Sequence, residues 1–284
     1  MTRIAAIQMV STPDVPRNLA QAGELLAQAA AAGAQVAGLP EYFCLIGRRD
    51  EDKLVHAEQP GRGPIQDFLR EQAQRHGLWI IAGTIPVASP QPGRVFNRSL
   101  LLSPQGEVVA HYDKVHLFRF NNGRESYDEA RVLMEGSQPV AATLGTAPAL
   151  RVGLSVCYDL RFPELYRALS FGDPAQPPCD LLAVPAAFTH TTGQAHWEVL
   201  LRARAIEHQC YVMAPAQGGL HENGRRTWGH SLVIDPWGEV LACVEEGPGV
   251  AVADVDAQRL ATVREQLPAL QHRRLGLGAG GAAC

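Results

Sequence analysis

The sequence predicts an α/β protein built on mixed β-sheets, and three observations carry that prediction. Apolar runs of strand length alternate with stretches of helical periodicity along most of the 284 residues, the pattern of layered α/β folds. Turn signals of hairpin type interrupt the alternation, so some adjacent strands run antiparallel. No Gly-x-Gly-x-x-Gly follows a predicted strand, which speaks against a purely parallel, dinucleotide-binding sheet. With neither a clear internal repeat nor a polar linker to divide the chain, one domain over residues 1–275 is the simplest organisation.

Residues 3–10 read as a first strand, and Ser-Thr-Pro-Asp-Val-Pro turns it into a helix over 16–32 whose Ala22, Leu25, Leu26 and Ala29 share a face before Gly33. A strand over 34–39 ends in Leu-Pro-Glu-Tyr-Phe, which sets Glu41 just past its end. Residues 47–53 are charged and read as a surface loop. After Gly61-Arg-Gly-Pro, a helix places Ile65, Phe68, Leu69 and Ala73 on one face until Gly77. Residues 78–84 make a buried strand, and 95–102 with 107–112 flank Ser-Pro-Gln-Gly as an antiparallel hairpin. The second hairpin strand runs into Lys114, and a polar loop over 119–130 brings Glu129.

Val152, Leu154 and Val156 then alternate as a strand, and Pro163 suits the first turn of a helix, where its missing N–H costs nothing. Cys157 lies between them, where a strand ends and a turn begins. A further strand covers 181–184. A helix over 195–208 turns Trp197, Leu200, Leu201 and Ala205 inward and leaves Arg202, Arg204 and Glu207 as a charged rim. Strands over 211–214, 228–234, 239–244 and 249–254 follow, with Asp235-Pro-Trp-Gly as a turn, and a helix over 256–266 stops before Pro268. Residues 276–284, nearly all Gly and Ala, are expected to be a disordered tail in which Cys284 has no role.

Composition excludes several classes. The 46% hydrophobic content supports a large core, yet no 18-residue apolar run exists and the first residues lack a signal-peptide layout, so a cytoplasmic protein is expected. A net charge of −4 without basic blocks argues against nucleic acid and membranes as partners. Six cysteines without a Cys-x-x-Cys pair read as reduced thiols, and His111 and His116 have no third partner for a metal.

Chemistry can be sought at the strand ends. Cys157 at a sharp turn suits a nucleophile beside free backbone N–H groups, although a cysteine in apolar company also reads as a small buried hydrophobe. Glu41 stands where α/β sheets commonly meet substrate, with a solvated loop carboxylate as the plain alternative. Lys114, followed by Val115, Leu117 and Phe118, suits a partly enclosed cation able to stabilise negative charge, or else a snorkelling surface lysine.

Glu41 in Leu-Pro-Glu-Tyr, Lys114 in Tyr-Asp-Lys-Val-His-Leu and Cys157 in Val-Cys-Tyr-Asp-Leu-Arg-Phe-Pro-Glu stand in this order. Together they resemble the Glu-Lys-Cys triad of the nitrilase, or carbon-nitrogen hydrolase, superfamily, and the likeness runs over residues 1–274. Cys-Tyr-Asp-Leu-Arg-Phe-Pro-Glu-Leu, His-Trp-Glu-Val-Leu-Leu-Arg-Ala-Arg-Ala-Ile-Glu, Gly-His-Ser-Leu-Val-Ile-Asp-Pro-Trp-Gly and Leu-Pro-Ala-Leu-Gln-His-Arg-Arg are similar to its Nit branch. The resemblance implies a four-layer αββα sandwich that dimerises through helices, with the carboxylate of Glu129 as a fourth site residue positioning the lysine and the substrate.

The expected activity is hydrolysis of a non-peptide amide through a Cys157 thioester, without metal or organic cofactor. Glu41 would move the protons, while Lys114 and the Tyr158 N–H would stabilise the oxyanion. The first expectation for the substrate is deaminated glutathione, released as 2-oxoglutarate and cysteinylglycine. The rival is the ω-amidase reaction on 2-oxoglutaramate, and a rival of another class is a scaffold or regulatory protein that keeps the fold without the chemistry. Because the expected substrate is anionic, Arg119, Arg124 and Arg161 are candidates to meet its carboxylates.

Overall fold

Alternation along the strand Thr2–Gln8 divides its side chains between two environments. Ile4 and Ala6 pack in one core cluster with Val152, Leu154 and Leu182, whereas Ala5 and Ile7 pack in another with Leu25, Leu26 and Leu69. A strand sends successive side chains to opposite faces, so this one is covered on one side by a second sheet and on the other by helices. The computed structural model describes residues 1–275, so the tail expected over 276–284 lies outside the described residues.

The helices are α1 (Val15–Ala31), α2 (Asp52–Val55), α3 (Pro64–His76), α4 (Pro163–Phe171), α5 (His190–His208) and α6 (Ala257–Gln266). The first sheet runs Gly249–Val255, Thr2–Gln8, Val36–Gly38, Trp79–Ile81, Val95–Leu102, Ile85–Ala88, and Val108–Asp113 and Leu133–Met134 also pair with Val95–Leu102. The second runs Val140–Leu144, Leu150–Leu154, Leu181–Ala183, Tyr211–Ala214, Ser231–Ile234, Val240–Val244. Both are mixed, with parallel strands at the centre and antiparallel ones toward the edges. Helices α1 and α3 cover the first sheet through Leu25, Leu26, Ile65 and Leu69, and α4 and α5 cover the second through Tyr166, Leu169, Trp197 and Leu201. The layers are therefore helix, sheet, sheet, helix.

Local chemistry explains most element ends. Asp14 and Asp256 cap α1 and α6 by accepting from the N–H groups of Arg17 and Gln258. Gly77 ends α3 in the left-handed conformation, and Pro163 opens α4.

Several details depart from the sequence reading, among them the following. The strand expected over 78–84 is two strands, Trp79–Ile81 and Ile85–Ala88, broken at Gly83. Its φ is +50°, and a Cβ there would lie 2.0 Å from the Pro40 carbonyl oxygen, so the chain passes hard against the segment that carries Glu41. Helix α5 starts at His190, before the expected 195, and the strand Val140–Leu144 was not anticipated. Arg204 is no rim residue: it is buried, donating to the Leu160 carbonyl and to Glu207.

Candidate active site

Parallel central strands deliver their following loops to one end of the sandwich. Glu41 follows Val36–Gly38 and Lys114 follows Val108–Asp113 in the first sheet; Cys157 follows Leu150–Leu154 and Ala187 follows Leu181–Ala183 in the second. A bridge between Met9 and Gln217 ties the sheets at this end, where the Gln217 side chain also donates to the Glu41 carbonyl.

Glu41, Lys114 and Glu129 form one buried cluster. The Lys114 Nζ lies 2.9 Å from Glu41 Oε1 and 2.8 Å from Glu129 Oε2, and the lysine side chain is fully buried. The Asn97 side-chain amide donates to Glu41 Oε1 and the Ala187 N–H to Glu41 Oε2, each at 2.9 Å. Glu129 accepts from the Tyr42 hydroxyl at 2.8 Å and the Phe118 N–H at 2.7 Å. Burial works against the Lys114 charge, but Glu129 and Glu41 outweigh it and raise the ammonium above the ordinary lysine range. Burial likewise opposes ionisation of Glu129, yet Lys114 holds its carboxyl below the usual value.

Cys157 faces this cluster from a short 3₁₀ turn, Cys157–Arg161. Its φ is +50°, a left-handed conformation that costs a non-glycine residue about 1–3 kcal/mol. The Cys157 N–H is taken by the Pro185 carbonyl at 2.9 Å, while the Tyr158 N–H has no hydrogen-bond partner among the described residues. Burial pushes the thiol well above its ordinary pKa; the Glu41 charge adds to the rise and Lys114 opposes it. The resting group is accordingly a thiol with a carboxylate beside it, and a thiol so placed can lose its proton as it attacks.

The turn is held from behind by Asp159. Its carboxylate is buried and accepts from the Val156 N–H, the Tyr112 hydroxyl and the His116 N–H at 2.8, 2.8 and 3.0 Å, with His116 Nδ1 at 2.7 Å. Tyr112 and His116 flank Lys114 in the chain, so one aspartate fixes the nucleophile's turn to the lysine's segment. His116, for which the sequence offered no metal-binding partner set, is thus a structural residue, and its ring stacks on Phe162 with centroids 3.7 Å apart. Arg204 adds a tie from α5 through the Leu160 carbonyl at 2.8 Å.

The cleft above Cys157 is narrow and is walled by Glu41, Glu129, Phe118, Tyr158, Phe188 and Arg225. Of the anticipated arginines, none lines it. Arg119 is 83% exposed and turns to Asp128 at 3.7 Å. Arg124 lies in a neighbouring groove. Arg161 stands behind the wall, its guanidinium over the rings of Tyr158 and Phe188 and 3.3 Å from His196. Arg225 does line the cleft; it donates to the Ala187 carbonyl at 2.6 Å, and its Nε is buried without a partner among the described residues. Gly-Arg-Arg-Thr-Trp gave no local sign of this, since only the turn after the strand Gly218–Leu220 brings Arg225 back to Cys157.

Comparison with known proteins accords with this arrangement. The profile of the carbon-nitrogen hydrolase family matches residues 3–265. A deaminated glutathione amidase of Synechocystis sp. (strain ATCC 27184 / PCC 6803 / Kazusa) is 44% identical over 272 residues, covering 95% of this chain and 97% of the relative. The crystal structure of the C. elegans NitFhit protein superposes with a TM-score of 0.84 at 35% identity, over 96% of this chain and 65% of that longer one. The E41Q mutant of the amidase from Nesterenkonia sp. AN1 superposes with a TM-score of 0.76 at 27% identity, over 95% of this chain and 100% of the other, and carries acrylamide added at its active-site cysteine. The match from end to end shows that the chain belongs to the carbon-nitrogen hydrolase family and is a hydrolytic amidase.

Proposed function

We propose that this amidase hydrolyses deaminated glutathione to 2-oxoglutarate and cysteinylglycine, with Cys157 as nucleophile, Glu41 as proton carrier and Lys114 with the Tyr158 N–H as the oxyanion site. The observation that carries the reading is the buried Glu41–Lys114–Glu129 cluster set against Cys157. The substrate is supported by relatives named deaminated glutathione amidase, at 40–44% identity.

An unactivated amide is a poor electrophile and its amine a poor leaving group, so it needs a strong nucleophile, a stabilised oxyanion and a proton for nitrogen. Glu41 takes the thiol proton as sulfur attacks the carbonyl carbon. The new oxyanion meets Lys114 and the Tyr158 N–H, where one donor contributes about 3 kcal/mol in comparable sites. The C–N bond breaks as Glu41 returns the proton to the leaving nitrogen. Water, losing a proton to Glu41, attacks the thioester; the C–S bond breaks, sulfur regains the proton and 2-oxoglutarate leaves. Glu129 balances the lysine throughout and leaves Glu41 to shuttle protons.

The small cleft also favours a second reading, the ω-amidase reaction on 2-oxoglutaramate, whose leaving group is only ammonia. Side-by-side turnover of the two amides, with Cys157→Ala as control, tests the assignment. A higher kcat/KM for deaminated glutathione is expected; a strong preference for 2-oxoglutaramate replaces it with the second reading.

The same proposal includes a cytoplasmic homodimer. Cys44, Cys157, Cys179, Cys210 and Cys243 are all unpaired, in keeping with a reducing compartment. Val199 and Ile206 on α5 are exposed apolar side chains, and Trp237 and Leu241 add to such surface near the Gly238 turn that touches Ile206. Light scattering on the purified chain should read a dimer's mass, and a monomer at micromolar concentration would remove this part.

A further inference from the structure

Beside the cleft lies a second, wider and open groove, and the two meet at Arg225. Three loops build it: the segment after Ile46, the hairpin of Arg119–Asn121 and Ser126–Asp128, and the turn before Arg226–Trp228. The wall between the cavities is continuous. Phe118 in the cleft packs on Tyr127 in the groove with centroids 5.7 Å apart, and the Arg225 guanidinium lies 5.3 Å from the centre of that Tyr127 ring. Glu125 in the groove accepts from Thr191 in the first turn of α5, next to Thr192 of the cleft.

The groove carries Arg48, Arg49, Arg124, Arg225 and Arg226 against only two carboxylates, Asp50 and Glu125. Both carboxylates are engaged elsewhere, Asp50 with Lys53 at 3.0 Å and Glu125 with Thr191 at 2.9 Å. Arg226 pairs with Glu246 at 3.3 Å, but Arg48, Arg49 and Arg124 make no ion pair among the described residues. A surplus of guanidinium groups in a protein of net charge −4 marks a place suited to a carboxylate.

Resting on the reading above, we infer that this groove is the subsite for the leaving half of the substrate, and that Arg49 and Arg124 recognise the C-terminal carboxylate of its dipeptide. Glu41 and Glu129 are buried beside Cys157, whereas Arg225 joins the cleft to the open groove, so an amide whose carbonyl carbon reaches Cys157 has room for its leaving group on the groove side. Two peptide residues extend about 7 Å from the scissile nitrogen, more than the narrow cleft holds, and Arg225 joins that cleft to the groove beside it. The groove thereby selects an anionic, peptide-like leaving group, and Arg124 acts outside the cleft on the leaving half. A substrate whose leaving group is ammonia makes no use of the groove.

The test compares deaminated glutathione with its analogue in which the C-terminal carboxylate is a primary amide, for the wild type and for Arg49→Glu, Arg124→Glu and the double variant. In the wild type the analogue should show a KM about tenfold higher at similar kcat. In the double variant the KM for deaminated glutathione should rise about tenfold, so that the preference for the carboxylate disappears. Added salt should narrow the wild-type preference. Equal KM values for acid and amide in the wild type, or an unaltered preference in the double variant, overturn the inference. Failure of the wild type to cleave deaminated glutathione at all would instead overturn the substrate assignment on which it rests.

Discussion

The cleft at Cys157 and the groove beside it are neighbours built in opposite ways. Around Cys157 the catalytic charges are paired: Lys114 sits between two carboxylates, and Glu41 accepts three hydrogen bonds. In the groove, Arg48, Arg49 and Arg124 stand exposed on loops without ion pairs among the described residues. Rigid, desolvated charge suits a reaction whose oxyanion and moving proton are the same for every amide, because preorganised dipoles need not reorient as the reaction proceeds. Exposed arginines with free rotamers suit recognition of a substituent that differs from one amide to the next. The contrast separates the chemistry, carried by the sheet ends, from the choice of amide, carried by the loops.

The contrast predicts that damage to the cleft acts on kcat and is large. Cys157→Ala should lower turnover about 10⁴-fold or more for both amides, measured by release of 2-oxoglutarate; turnover within tenfold of wild type would dissolve the contrast. Glu41→Gln should lower kcat about 10³-fold. Since the Glu41 charge raises the Cys157 pKa, the same variant should be alkylated faster by chloroacetamide at pH 8, because more thiolate is present. Falling turnover with faster alkylation would distinguish a proton carrier from a merely structural carboxylate.

The cleft also depends on its supports. Asp159→Asn replaces one acceptor oxygen with a donor amide facing the Val156 N–H or the His116 N–H. Leaving such groups unsatisfied should lower unfolding free energy by about 3 kcal/mol, read from urea melts, and reduce kcat as the Cys157 turn loosens. Unaltered stability and kcat would mean that the turn holds itself.

Acid should act through buried histidines. Burial lowers His208 and His221 from 6.5 to about 4, so both are neutral in the fold at pH 7. Their contribution is fully present above the unfolded value of 6.5 and is lost as pH falls toward 4, where the unfolded chain binds protons first. At pH 5 each should cost about 2 kcal/mol of stability. His221 accepts the Gly224 N–H through its carbonyl and donates its own N–H to the Arg225 carbonyl, so it anchors the groove's loop. His221→Gln should flatten the dependence of the urea midpoint between pH 7 and 5, and an unaltered slope would rule it out as the origin.

Much of the fold was legible because its element ends are punctuated locally: Gly77 and Pro163 mark helix limits, and Ser-Pro-Gln-Gly marks the hairpin. Sheet order was not legible. Thr2–Gln8 pairs with Gly249–Val255 across almost the whole chain, and pairing of that kind leaves no nearby mark. The break at Gly83 shows the same limit, since a glycine in an apolar run reveals its purpose only once the Pro40 backbone lies against it.

The site divides in the same way. Glu41, Lys114 and Cys157 could be picked out because each follows a strand, whereas Glu129 stood only in a polar loop and drew its role from family resemblance. Asn97 and Arg204 looked like ordinary positions of a strand and a helix, and their partners are 56 and 44 residues away. The arginines chosen from sequence were judged by charge alone. Charge does not say which way a loop turns, and so Arg119 was preferred to Arg225.

The most direct test of the account is rapid quenching of a single turnover with deaminated glutathione, followed by mass spectrometry of the peptide that carries Cys157. The account predicts a 2-oxoglutaryl thioester on Cys157 that forms before cysteinylglycine reaches its full yield and decays as 2-oxoglutarate appears, and that is absent from Cys157→Ala. Complete hydrolysis at the wild-type rate by Cys157→Ala, or an acyl group trapped on another side chain, would contradict it.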